Sequence, residues 1–372
     1  MTARANRAWV NELRARRAAF AEELRSLGCD AGLVYGSHGH GENFRYLTSF
    51  TPVLGDMWAV TDTDSRVECI LNFTWQLEEA RRLSGIEAWH GAFNAVPVVV
   101  DAVAHLRPTR IGVVGLDRVP AVVVTALRER VDASLVDATE AFTRLRRIKS
   151  PLEVDRLREA GRLTDAALEV LYAELTPGIT EKELAARLGY EIHRLGGEWA
   201  FPPCVIAGVD DPIPIRNPTD RPIAPGDTVM VDLGAAVDGY CGDASRTLVV
   251  GEPSSRQLEG WAVVTAAYDA ALDACRPGVP CVDVHRAAAA VIADAGFDLA
   301  HRIGHGIGLA TSFEWPSLDS EEAPLTPGVT ICIEPGIYAA GLGNMKLEDD
   351  VFITETGHEL LTNARRDLAV TA

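Results

Sequence analysis

One helix start divides the sequence. At Ser150-Pro151-Leu152-Glu153 the Ser hydroxyl can accept a first-turn N–H and Pro151 already carries the φ of a first helical residue. The Glu153 carboxylate can reach back to the Ser150 N–H, which completes a capping box. The patterns on the two sides of this box differ. Before it, Trp9, Leu13, Phe20, Leu24 and Leu27 fall at helical spacing and stop at Gly28. Short β-rich runs follow at Ala31–Tyr35, Met57–Val60 and Val67–Leu71. A helix at Val96–Leu106, a strand at Ile111–Gly115 and a helix at Ala121–Val131 continue the alternation. This order predicts a small α/β sheet domain.

After the box, apolar positions at Leu157, Ala160, Leu163, Ala167 and Leu171 predict one helix, which stops before Thr176-Pro177-Gly178. A second box, Thr180 with Glu183, opens a helix through Leu184, Leu188, Ile192 and Leu195, ended by Gly196-Gly197. Strands are expected at Thr228–Leu233 and Tyr240–Val250, then helices at 258–274 and 282–295, then a β-rich stretch over 303–361. The order helix, helix, strands occurs twice, so this part is expected to be α+β and a degenerate repeat. The expected domains are 1–147 and 148–372.

Charge is unevenly spread. Residues 1–149 carry 19 basic and 18 acidic groups, whereas residues 150–372 carry 16 and 35, so the formal net charge of −18 lies in the second part. That argues against binding a phosphate backbone, and no nucleic-acid partner is expected. No apolar run reaches the ~18 residues of a membrane span, and the Arg- and Glu-rich start does not read as a secretory leader. Seven cysteines, none in a CxxC spacing, suit free thiols in a reducing, cytoplasmic compartment.

The residues that carry chemistry lie on the β segments of the second part. Asp232 ends the buried-looking run Val-Met-Val-Asp-Leu-Gly, and Asp243 follows in Gly-Tyr-Cys-Gly-Asp-Ala-Ser-Arg-Thr. A hairpin turning near Val237–Gly239 would bring both carboxylates together. His305 stands in Gly-His-Gly-Ile-Gly-Leu, Glu334 in Ile-Cys-Ile-Glu-Pro-Gly-Ile-Tyr and Glu348 in Met-Lys-Leu-Glu-Asp-Asp-Val. Any one of them could simply solvate a turn. Crowded carboxylates, however, repel one another unless cations neutralise them, and an oxygen-rich set with one imidazole suits Mn, Co, Fe or Zn.

The five residues and the words around them resemble the pita-bread metallopeptidases, the family of methionine aminopeptidase, Xaa-Pro aminopeptidase, prolidase and creatinase. Ile148 to Glu153 resembles the first helix of their catalytic domain. The first part, with Asn43, Tyr46 and Leu47, resembles the creatinase/prolidase-type N-terminal domain. The resemblance implies an α/β N-terminal domain, an α+β pita-bread catalytic domain and a homodimer. It also implies a site of two divalent metal ions. Asp232 would chelate one ion, His305 and Glu334 would hold the other, and Asp243 and Glu348 would bridge them. Glu334 would also shuttle a proton. The implied activity is hydrolysis of a small peptide-like amide, most simply an Xaa-Pro bond.

Two accessory histidines of the proline-specific peptidases are replaced. Ile215 or Arg216 stands at one place, and Phe313 before Glu314 at the other. Arg216 is a candidate for a substrate carboxylate, while Ile215, Phe313 and Glu314 are candidate pocket residues. His301 is a candidate substitute imidazole, and His38 and His40 are second-rank candidates. Cys241 reads as structural. These departures keep two alternatives open. One is a family member acting on a non-peptide small molecule, as an ectoine-type ring-amide hydrolase or a metal-dependent lyase. The other is a non-catalytic binding protein.

Overall fold

The computed structural model describes residues 3–371 apart from 211, 313, 367 and 369. Phe313 therefore lies outside the described residues. The chain divides into two compact units, Met1–Arg146 and Arg147–Ala372.

In the first unit a mixed six-stranded sheet has the order β4-β3-β2-β1-β5-β6. Its strands are β1 (Ala31–Gly36), β2 (Met57–Asp62), β3 (Val67–Leu71), β4 (Trp89–Gly91), β5 (Arg110–Val114) and β6 (Ser134–Asp137). Strand β1 is antiparallel to β2 and parallel to β5. The alternating helices are α1 (Ala3–Ser26), α2 (Glu42–Thr48), α3 (Leu77–Ser84), α4 (Val96–His105), α5 (Ala121–Arg130) and α6 (Thr139–Arg144). Leu33, Val60, Val99, Val113 and Val123 fill one core of this unit. His38 and His40 sit exposed on a turn after β1, with Ser37 bridged to His40. Asn43, Tyr46 and Leu47 are buried on α2.

The second unit opens with α7 (Pro151–Glu174) and α8 (Glu181–Arg194), each with the capping box formed as its sequence demands. Strands β7 (Glu198–Ala207), β8 (Thr228–Val237), β9 (Tyr240–Cys241) and β10 (Ala244–Val250) follow. Helices α9 (Ser255–Ala274) and α10 (Cys281–Asp294) come next. A third box, Ser254 with Gln257, starts α9 and extends it upstream of the predicted 258. The last strands are β11 (Gly304–Gly306), β12 (Glu314–Ser317), β13 (Thr330–Ile333), β14 (Gly336–Ala339), β15 (Gly343–Lys346), β16 (Asp349–Ile353), β17 (His358–Leu360) and β18 (Val370–Thr371). One sheet runs β18-β10-β8-β7 with β9 attached to β8, another runs β12-β11-β13-β16-β17, and β14 pairs with β15. Helix pairs therefore alternate with antiparallel strands twice, as the pattern predicts. Each half has its own apolar core, one around Leu168, Leu188 and Val231, the other around Val264, Val284 and Ile331.

The glycines beside the candidate residues allow strands to pass very close. A Cβ on Gly304 would stand 2.1 Å from the Cys332 carbonyl oxygen, and one on Gly306 would stand 2.1 Å from that of Trp315. The Gly-His-Gly word thus reflects close backbone packing on both sides of His305 rather than a tight turn. All seven cysteines are buried and unbonded to one another. Among the described residues no helix is long and apolar enough to cross a membrane.

Gly304→Ala is expected to cost about 1–3 kcal/mol, since the new methyl group meets fixed backbone rather than a movable side chain. Gly357→Ala, where nothing lies within 4 Å of the added Cβ, should stay within about 0.5 kcal/mol of the parent. Denaturant unfolding followed by circular dichroism measures both, and equal midpoints would contradict the close-packing account.

Candidate metal centre

Two sheets of the second unit meet at the centre. Strands β8 and β10 pair so that Asp232 faces Ser245 across the ladder. The chain reverses between β8 and β9 at Asp238 (φ 50°) and Gly239 (φ 80°), two consecutive left-handed residues that suit a tight hairpin. Asp243 falls in the break between β9 and β10, where its own N–H is free to donate to Asp350 Oδ2 at 2.8 Å.

The other sheet supplies the remaining groups. His305 on β11 stands opposite Cys332 on β13, which stands opposite Asp350 on β16. Glu334 follows β13 directly, with its N–H on the Ile303 carbonyl at 2.7 Å. Glu348 precedes β16 and forms an antiparallel bridge to Ser245. Ser245 is therefore flanked by Asp232 on one side and Glu348 on the other. Next to it the buried Arg246 guanidinium spans the joint. It donates to the carbonyls of Ser245, Glu348 and Ala364 at 2.7–2.9 Å and to Asp349 Oδ1 at 2.8 Å.

Asp232, Asp243, His305, Glu334 and Glu348 all line one cavity of about 250 Å³, together with Ile215, Arg302 and Lys346. An adjoining lobe of about 180 Å³ adds Pro214, His301 and Tyr338. Tyr338 O–H donates to His301 Nε2 at 2.7 Å, because His301 Nδ1, 2.7 Å from the Arg302 carbonyl, must carry the ring proton. Burial keeps that ring below the usual histidine range, against the pull of Glu334.

The electrostatics ask for a cation. Burial pushes the Asp243 carboxyl well above the usual range, and Glu348 and Asp232 add to the rise. Burial also raises Glu348, against the pull of Lys346. Glu334 behaves oppositely. Despite its burial, Lys346, His305 and His301 hold it below the usual carboxylate range.

Three observations show that these residues suit a metal ion. His305 Nδ1 faces the Gly306 carbonyl at 3.1 Å and so carries the proton, leaving the bare Nε2 only 3.5 Å from Glu334 Oε1 and 4.0 Å from Asp243 Oδ2. A nitrogen lone pair facing two carboxylates needs positive charge between them. Asp232 Oδ1 is buried without a hydrogen-bond partner. Asp243, His305, Cys332 and Glu348 each offer a donor atom, all within 4.8 Å of one another. Carboxylate, imidazole and sulfur donors of this kind suit a divalent transition metal.

Two expected substrate contacts are corrected. Arg216 does not turn to the cavity. Its two terminal nitrogens fork onto Glu181 at 2.6 and 2.7 Å. Glu181 is fully buried and also accepts the N–H groups of Ala207 and Thr219, so a paired cation is what makes its burial tolerable. Glu314 Oε1 accepts from the N–H groups of Leu309 and Ala310 at 3.1 and 3.4 Å, and so shapes the loop after β11. Ile215 is exposed at the cavity mouth.

Three groups of the site were not singled out from the sequence. Cys332 donates its S–H to Glu348 Oε1 at 2.9 Å. Tyr338 and Lys346 line the adjoining lobe. The usable signal was parity, because Cys332 and Lys346 each stand two residues before a candidate carboxylate and so share its side of an extended segment.

The model of metallopeptidase family M24 matches residues 155–355. An uncharacterized peptidase of Staphylococcus aureus (strain MSSA476) is 34% identical over 234 residues, which are 62% of this chain. That match spans 66% of the Staphylococcus protein, just under two thirds of its length. Two solved structures share the fold over nearly the whole chain. A Xaa-Pro dipeptidase from Bacillus anthracis has a TM-score of 0.87 at 27% identity, over 96% of this chain and 100% of its own. A prolidase from Pyrococcus horikoshii OT3 has a TM-score of 0.87 at 26% identity, over 95% and 100% respectively.

The Arg216–Glu181 pair yields a test of its structural role. Arg216→Gln should lose about 3–5 kcal/mol in denaturant unfolding, because it strands a buried carboxylate, and adding Glu181→Gln should recover part of that loss. A single substitution that left stability intact would return Arg216 to the list of substrate contacts.

Proposed function

The chain belongs to metallopeptidase family M24; from that premise we propose that it is a metallohydrolase that cleaves a short peptide, most simply an Xaa-Pro dipeptide. The observation that carries the proposal is the buried set of Asp243, His305, Cys332 and Glu348 within 4.8 Å. Asp232 and Glu334 stand on its border. The two small adjoining lobes suit a ligand of one or two residues rather than a protein chain. The first unit is proposed to be a supporting domain of the creatinase/prolidase type.

Asp243, His305 and Glu348 would hold a divalent ion of the Mn, Co, Fe or Zn class, with Glu334 and Cys332 beside them. When bound, such an ion supplies a Lewis acid and lowers the pKa of a coordinated water. The protein's own part is proton traffic and shape. Glu334 is held ionised, so it can take a proton on its carboxylate and pass it to a leaving amine. His301 is neutral and holds the Tyr338 hydroxyl inside the lobe. Ile215 provides an apolar wall at the mouth.

A second reading is favoured by one feature. The imidazoles lining the two lobes are His301 and His305 alone among the described residues. An enzyme lacking both accessory histidines suits a less demanding substrate, such as a ring amide, or a lyase reaction.

The expected result is cleavage of Xaa-Pro dipeptides that is lost with a chelator and restored by Mn or Co. Asp243→Asn should lose metal and at least about 100-fold in kcat/KM. A panel of dipeptides left intact by fully metal-loaded protein would remove the peptidase reading in favour of the second one.

A further inference from the structure

Lys346 is the residue of the centre that neither the peptidase reading nor the metal set accounts for. It is one of three lysines in the chain, and it is buried. Its Nζ lies 2.9 Å from Asp232 Oδ2, 2.8 Å from Glu334 Oε2 and 2.7 Å from Glu348 Oε2. These carboxylates come from three separate segments: β8, the residue after β13 and the residue before β16. An ammonium has three N–H donors, and here three carboxylates converge on it.

We propose that Lys346 is a built-in cation holding the place of a second ion, so that the chain binds one divalent ion tightly and admits another only by expelling the ammonium. This rests on the metal reading given above.

Three further observations support it. A donor set for one ion forms without Asp232, since Asp243, His305, Cys332 and Glu348 cluster together, and of these only Glu348 also meets the ammonium, through Oε2. The charge balance points the same way. Asp232, Asp243, Glu334 and Glu348 contribute four negative charges. The ammonium and one divalent ion leave a single negative charge, whereas two divalent ions cancel all four and leave the buried ammonium uncompensated. Finally, the Lys346 backbone is pinned. Its N–H donates to Thr247 Oγ1 at 3.0 Å, and the Thr247 hydroxyl donates to its carbonyl at 3.0 Å. The ammonium can therefore leave only by rotating its side chain, into a lobe where Arg302 already brings positive charge.

The experiment is a Mn titration of the full-length protein, followed by calorimetry and electron paramagnetic resonance. The wild type should bind one ion per chain and, at two equivalents, leave the second in solution and show no exchange-coupled signal. Lys346→Met should bind two, with the second tightened by at least about tenfold, and show the spectrum of an exchange-coupled pair. A wild type that binds two ions with the affinities of the variant, or that itself gives the coupled-pair spectrum, overturns the proposal. The wild-type spectrum decides the matter even if Lys346→Met fails to fold, and Lys346→Gln serves as a second variant. Protein that binds no Mn in any form overturns the metal reading itself, which is a different failure.

Discussion

Carboxylates packed out of water repel one another, and each is costly to keep ionised unless positive charge stands beside it. The second unit is organised around that constraint. Asp232, Asp243, Glu334 and Glu348 converge on one cavity, and Lys346 and His305 stand among them, with donor atoms grouped as a metal ion would need. The same logic recurs away from the cavity, where Arg246 neutralises the fully buried Asp349 and Arg216 neutralises Glu181. The acidic excess of the second part is thus partly structural. Several of its carboxylates are held in the interior by specific cations, while most of the others face solvent.

The sequence made much of this legible because the signals were local. Capping boxes at Ser150 and Thr180 fixed two helix starts, since each needs only groups three residues apart. The hairpin that joins Asp232 and Asp243 was readable from its turn. His305, Glu334 and Glu348 were recognisable from the glycine and proline words that surround them. Other features were not local. The role of Arg216 depends on Glu181, 35 residues away, and nothing near Arg216 announces that partner. Lys346 and Cys332 sat in view beside candidate carboxylates, but only the three-dimensional convergence shows what they touch. The box at Ser254 used Gln257 rather than Glu, a weaker cue, and the start of α9 was set too late for that reason.

The two lobes of the cavity also divide the labour between groups. His305, Asp243 and Glu348 lie on the side of the metal set, and His301 and Tyr338 on the side of the smaller lobe. Glu334 lines both, and its neighbours hold it below the usual carboxylate range. A group that faces both lobes and stays ionised is well placed to carry a proton from one to the other.

The antiparallel bridge between Ser245 and Glu348 has a further consequence. The centre is assembled on a seam between two sheets, each packed against its own helices and its own core. Besides the bridge, the seam carries the Arg246 fork, the Asp243–Asp350 bond, the paired Thr247–Lys346 bonds and the reach of Lys346 to Asp232. The groups that join the two halves are therefore largely the groups that line the cavity, so heat that parts the halves should dissolve the centre in the same step. The joint and the centre are thus one structure, and neither half holds the cavity without the other.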